Sequence, residues 1–249
     1  MEYNKIVENI IDSVRPLQGQ GKQADYIPAL ANVNPDQMGI CIETIGGAAY
    51  TYEKADTRFS IQSISKVFAL AMAFSIEGEG LWERMGREPS GTAFNSLVQL
   101  EIEQGKPRNP FINAGAIVMT DILCERLKDP EGFFLQFVRN MSGSNTINYN
   151  HAVAESEREQ GYLNAAIINL LKYHGNIKGD IERVLRFYFL MCSVEMSCRE
   201  LAHAFLPFAD HTKPFDYTDV YLTRSQVKRI NAIMQTCGFY DEAGDFSYL

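Results

Sequence analysis

The chain has 249 residues, 46% of them hydrophobic and 22% charged, with a formal net charge of −8. That is globular composition, long enough for one large domain or two closely packed lobes. The acidic balance disfavours nucleic acid and anionic membrane as partners, and no apolar run approaches the ~20 residues of a membrane span. The five cysteines (Cys41, Cys124, Cys192, Cys198, Cys237) form no Cys-x-x-Cys pair and read as free thiols in a reducing compartment. The first nine residues carry two acids and no apolar core, so they do not read as a signal peptide, and the expected location is the cytoplasm.

Taken in chain order, residues 2–14 predict a helix with Ile6, Ile10 and Val14 on one face, stopped by Pro16. Residues 18–21 read as a loop. Residues 38–44 and 48–52 flank Gly46-Gly47 and predict a β-hairpin. Residues 64–78 form a helix that is apolar almost all round, which predicts a central, buried element. Loop punctuation follows at Pro89-Ser90-Gly91, Gly105-Lys106-Pro107 and Asn109-Pro110. Further helices are expected near 114–127, 131–141, 150–156, 161–174, 179–190, 195–208 and 225–237. Residues 241–245 are a turn signal, and residues 246–249 read as the opening of a strand. Two strands alone make a marginal sheet. The expectation is a single domain over 1–249 with two lobes, C-terminally truncated, its sheet incomplete.

Phosphate and dinucleotide loops are unsupported, since neither G-x-x-x-x-G-K nor G-x-G-x-x-G occurs. The four histidines (His151, His174, His203, His211) make no ligand cluster, so no metal site is expected and a Ser-His-Asp mechanism is hard to build. A serine can instead be activated by a lysine one turn further along a helix. The Ser-x-x-Lys pattern occurs twice, as Ser63-Ile64-Ser65-Lys66 and Ser225-Gln226-Val227-Lys228. Lys66 would lie in the first turn of the buried helix, where desolvation and the positive helix end both favour a neutral amine. Ser225 opens an amphipathic helix with Val227, Ile230 and Ile233 on one face, and helix capping accounts for it. Motif and context leave Ser63 open between a catalytic and a structural role.

The surrounding segments narrow that choice. Residues 59–68, Phe-Ser-Ile-Gln-Ser-Ile-Ser-Lys-Val-Phe, resemble the nucleophile segment of the serine-dependent glutaminases. The order continues through residues 21–30, Pro89-Ser90-Gly91 with Phe94-Asn95-Ser96-Leu97, residues 107–117, Ser156-Glu157 with Asn164, Tyr188-Phe189 with Cys192-Ser193, and Cys237-Gly238-Phe239-Tyr240-Asp241. The resemblance runs from about residue 15 to Leu249. It implies an α/β fold of the serine β-lactamase-like class, with a helical lobe and a sheet-containing lobe and the site between them. It implies hydrolysis of L-glutamine to L-glutamate and ammonia through a glutamyl-Ser63 ester, with no metal or organic cofactor.

Residue roles follow from the same resemblance. Ser63 is the nucleophile and Lys66 its base. Tyr240 assists proton transfer, and Tyr188 binds or orients the substrate. Glu157 meets the substrate ammonium. Asn113 and Asn164 bind its polar ends, and Tyr26 contacts its carboxylate. Structural alternatives are core packing for Tyr188 and Tyr240, a solvated helix face for Glu157 and a helix cap for Asn113. A homo-oligomer is implied as well. Two departures stand out. Most family members continue through a strand carrying Lys-Ser-Gly and then Val, which supplies a second oxyanion donor beside the Ser63 N–H. The Gly-Asp-Arg-Asn often found before the substrate asparagine is Gly161-Tyr162-Leu163-Asn164 in this chain. Two rival functions remain. One is a β-lactamase or penicillin-interacting acyl-transferase, which lacks support from any Ser-Asp-Asn. The other is an inactive, shortened glutaminase-like binding or partner subunit.

Overall fold

The structure, a computed structural model, describes residues 2–249. Helix α1 (Tyr3–Val14) and the short α2 (Pro28–Ala31) precede an antiparallel hairpin of β1 (Gly39–Glu43) and β2 (Ala49–Glu53). After β3 (Phe59–Ser60) come α3 (Ser65–Glu77), α4 (Leu81–Arg84), α5 (Leu97–Ile102), α6 (Asn113–Arg126) and α7 (Pro130–Ser142). Next are β4 (Asn148–Tyr149), α8 (His151–Glu159), α9 (Tyr162–Tyr173), α10 (Ile181–Cys192), β5 (Val194–Met196) and α11 (Cys198–Ala209). The hairpin β6 (Phe215–Tyr217) and β7 (Val220–Leu222), then α12 (Arg224–Cys237) and α13 (Ala243–Tyr248), complete the chain.

The two helices with no polar face lie at the centre. Residues Ser65–Phe74 of α3 and Asn113–Cys124 of α6 are buried on every side. They pack against each other, and α7, α9, α10 and α12 surround them. Phe68 of α3 meets Phe137 of α7 and Phe205 of α11 edge-on, with centroids 6.3 and 5.5 Å apart. Each such buried aromatic contributes ~1.5–3 kcal/mol through the area it removes from water. Asp121, fully buried in α6, is satisfied by Arg84 (2.5 Å) and by the Lys178 and Gly179 backbone N–H groups (3.1 and 2.8 Å). The β1–β2 hairpin lies apart, flanked by α1 and α11. The result is a helical lobe and a sheet-bearing lobe, as expected. No helix among the described residues is long and apolar enough to cross a membrane.

A three-stranded antiparallel sheet, β3-β5-β4, joins the two lobes. It fixes the entry to α3: the Ile61 N–H donates to Val194 O at 2.8 Å. Arg58, just before β3, is held by Glu200 (3.1 and 2.5 Å) and by Thr146 O (2.9 Å).

The hairpin and all seven later helices lie within a few residues of their predicted places. Four details differ. In α1 the buried stripe is Val7 and Ile11, while Ile10 is exposed, so the core-facing stripe is one residue out of phase with the predicted one. Residues 246–249 are not a strand. Phe246 lies in α13 and stacks on Phe239 at 3.9 Å, and Ser247 Oγ donates back to Ala243 O at 2.8 Å. Ser225 does not cap α12. Thr223 does, in a capping box with Gln226. Asn113 does not cap α6 either, because Ile112 occupies the cap and Asn113 is the first helical residue.

Candidate active site

The turn that carries Ser63 is built by its neighbours. Gln62 has φ = 48°, a conformation that costs a side-chain-bearing residue energy and is kept where the surroundings over-determine it. The short 3₁₀ turn Gln62–Ile64 then leads straight into α3. As in any first helical turn, the Ser63 N–H has no intrahelical acceptor, and it forms no other hydrogen bond among the described residues. It is a free donor beside the Ser63 hydroxyl.

One turn on, Lys66 is only 2% exposed. Its Nζ donates to Phe111 O (2.8 Å) and to Asn113 Oδ1 (2.9 Å), and stands 3.5 Å from the Tyr240 hydroxyl. A lysine nitrogen can only donate to an amide oxygen, which fixes the Asn113 amide with Oδ1 toward Lys66. The Asn113 Nδ2 then donates to Asn164 Oδ1 at 3.0 Å. No hydrogen bond links Ser63 Oγ to Lys66 Nζ in this arrangement, a looseness common in substrate-free sites.

The Phe111 carbonyl is placed by a residue that touches no reacting group. Asn109 is buried, and its Oδ1 accepts from the Phe111 and Ile112 N–H groups at 2.9 and 3.1 Å, while its Nδ2 donates to Glu88 O at 2.9 Å. This turn presses directly on α6 at Gly115. A Cβ there would fall 2.0 Å from Asn109 O, so only glycine permits the approach.

A cavity of about 500 Å³ opens between these elements. Tyr26, Ser63, Asn113, Glu157, Asn164, Tyr188 and Tyr240 all line it, and Lys66 lies behind its wall. Every residue singled out from the sequence therefore converges on one place. None of the four histidines lines it, and neither does Ser225. Also on the wall are Gln62, Phe94, Asn95, Gln160, Leu163 and Cys192, to which the sequence assigned no role. Gln62 is adjacent to Ser63, and Phe94-Asn95 stands in a resembling block. For Gln160 nothing in the sequence gave a signal.

Glu157 decides the electrostatics. It is 8% exposed, and its Oε1 has no hydrogen-bond partner among the described residues. Burial pushes its carboxyl up to about 7, against the opposing pull of Gln62 and Lys66. The Gln62 amide also donates to Ser60 Oγ at 3.1 Å. Burial also raises the Tyr188 hydroxyl well above its ordinary value, and raises Tyr26 less strongly. Tyr240 adopts φ = 55°, a second strained backbone on the cavity wall.

The glutaminase family model matches residues 21–249. The chain belongs to the glutaminase family. It is 49% identical over 248 residues to a glutaminase of Christiangramia forsetii, covering 100% of this chain and 82% of that one. A glutaminase of Aeromonas hydrophila is 48% identical over 246 residues, covering 98% and 80%. Among solved structures, "Probable glutaminase ybaS" superposes with a TM-score of 0.89 at 30% identity, over 98% of this chain and 79% of that one. A probable glutaminase from Bacillus subtilis, complexed with 6-diazo-5-oxo-L-norleucine, superposes with a TM-score of 0.80 at 27% identity, over 96% and 73%.

Proposed function

We propose that this glutaminase-family chain hydrolyses the side-chain amide of L-glutamine to L-glutamate and ammonia, with Ser63 as nucleophile. One observation carries the reading. A buried carboxylate with an unpartnered oxygen, Glu157, shares a cavity with a serine whose neighbouring lysine is buried and held by two acceptors. A free amino acid brings the ammonium that Glu157 lacks. Asn164 and Tyr26, on the same wall, suit its carboxylate.

The chemistry runs in two halves. Ser63 Oγ attacks the amide carbon and passes its proton to Lys66. The carbonyl oxygen gains negative charge and takes the free Ser63 N–H as donor. As the C–N bond breaks, Lys66 returns the proton through Tyr240 to the departing nitrogen, and ammonia leaves. Water then adds to the glutamyl ester, Lys66 accepts its proton, and the proton goes back to Ser63 as glutamate is released. Tyr188 orients the substrate. Homo-oligomerisation rests on the family resemblance, and a cytoplasmic location on the five cysteines, all free thiols.

Acid quench during turnover followed by peptide mass analysis tests this. A glutamyl adduct on the Ser63 peptide is expected. Incubation with 6-diazo-5-oxo-L-norleucine, a glutamine mimic with an electrophilic diazoketone, is expected to modify the same peptide. Glutamine hydrolysis that survives Ser63→Ala would overturn the assignment.

A further inference from the structure

Two rings stand over the Lys66 nitrogen. Nζ is 5.3 Å from the centroid of Tyr240 and 5.9 Å from that of Phe94. The rings pack on each other at 5.0 Å, tilted by 40°. Lys66 has no ion-pair partner among the described residues. Its nitrogen is therefore held by two amide-type oxygens on one side and two aromatic faces on the other. An ammonium is attracted to the negative face of a ring, and more strongly when water is excluded.

Phe94 lines the cavity and is 37% exposed, while Lys66 behind it is 2% exposed. The loop that carries Phe94 is pinned at the same point as the lysine. Phe94 O accepts from the Asn113 N–H at 2.8 Å, so Asn113 holds Lys66 through its side chain and Phe94 through its backbone. Ser96 caps α5 immediately after it.

We propose that Phe94 is a positioning residue for the reaction: with Tyr240 it forms an aromatic clamp on Lys66. The clamp holds Nζ against Phe111 O and Asn113 Oδ1 and screens it from cavity water. It also favours the charge that develops on Lys66 as it takes the Ser63 proton. The inference rests on the reading of Lys66 as the base. Because the charge develops only as Ser63 reacts, the clamp acts on kcat. Substrate affinity is set elsewhere on the wall, at Glu157, Tyr26 and Asn164.

Phe94→Leu keeps most of the side-chain volume without a π face. In the full chain it is expected to lower kcat about tenfold with KM within about twofold of the parent. Phe94→Tyr is expected to recover most of that loss. Trace acetylation with acetic anhydride, read as modification of the Lys66 peptide, is expected to run several-fold faster in Phe94→Leu. Phe94→Met serves as the aliphatic variant if the leucine protein does not fold. An aliphatic variant with unchanged kcat, a tyrosine variant as impaired as the leucine one, or unaltered acetylation of Lys66 would each overturn the clamp. Lys66→Ala separates this from the underlying reading. If hydrolysis persists without Lys66, the base assignment fails. If it is abolished while Phe94→Leu is silent, only the clamp fails.

Discussion

The chain contains Ser-x-x-Lys twice, and the two copies have opposite fates. Lys66 lies in a helix buried on all sides and gives its hydrogens to Phe111 O and Asn113 Oδ1. Lys228 lies on the solvent side of α12, whose buried face is Val227, Ile230, Ile233 and Cys237. Spacing alone brings a serine and a lysine onto one helix face. What separates the copies is burial, the acceptors that hold the amine, and an adjoining cavity with an unpaired carboxylate. A four-residue motif becomes chemistry only where tertiary contacts, from segments 45 or more positions away, complete it.

The largest expected effect breaks the symmetry outright. Ser63→Ala lowers kcat by at least ~10⁴-fold in an ammonia-release assay, while Ser225→Ala leaves it unchanged. Next is Tyr240→Phe, which keeps the ring over Lys66 but removes the hydroxyl. It lowers kcat by ~10²-fold or more through lost proton transfer and leaves KM near the parent value.

Glu157→Gln sharpens the contrast through pH. The carboxyl ionises near 7 instead of its ordinary 4.5, because burial penalises the charge. On the proposed role of Glu157 the ionised form binds the substrate ammonium, so kcat/KM of the parent is expected to fall as pH drops through about 7. The stability sign is opposite. With the folded value raised, the folded protein binds more protons than the unfolded chain between 4.5 and about 7, so stability declines as pH rises across that window. The variant escapes this cost of up to about 3 kcal/mol. Its Tm is expected to match the parent near pH 4.5 and exceed it by several degrees at pH 8, with turnover lost. The smallest effect falls on the second motif. Thr223→Ala removes the α12 cap, costs ~1 kcal/mol, lowers Tm by about 2–4 °C and leaves turnover intact.

Local pattern made one pair legible, Ser63 and Lys66, whereas Tyr26, Asn113, Glu157, Asn164, Tyr188 and Tyr240 were picked out by the resemblance to the serine-dependent glutaminases. The run from Val67 to Phe74 announced a buried helix, and that burial singled out Lys66. The rest depended on groups with no sequence signature. Phe111 contributes only its carbonyl, aimed by Asn109. Phe94 matters through Tyr240, which is 146 positions away in the chain. The short strands β3, β4 and β5 span two or three residues each, too few to display a period of two. In α1 the apolar residues Ile6, Val7, Ile10 and Ile11 are adjacent pairs, so periodicity could not choose between stripes. The Phe246-Ser247-Tyr248 run looked β-prone, but the stack on Phe239 favours a helical turn.

The contact at Gly115 has a consequence for engineering. The Asn109 carbonyl lies where a side chain at 115 would stand, and the same turn aims the Phe111 oxygen at Lys66. Loop and helix start therefore form one cassette. Transplanting residues 107–117 together into a relative should preserve the lysine's seat, whereas grafting the loop onto a helix with alanine at that position should tilt the carbonyl away. Recombination breakpoints within this stretch would yield folded proteins with a displaced Lys66 amine.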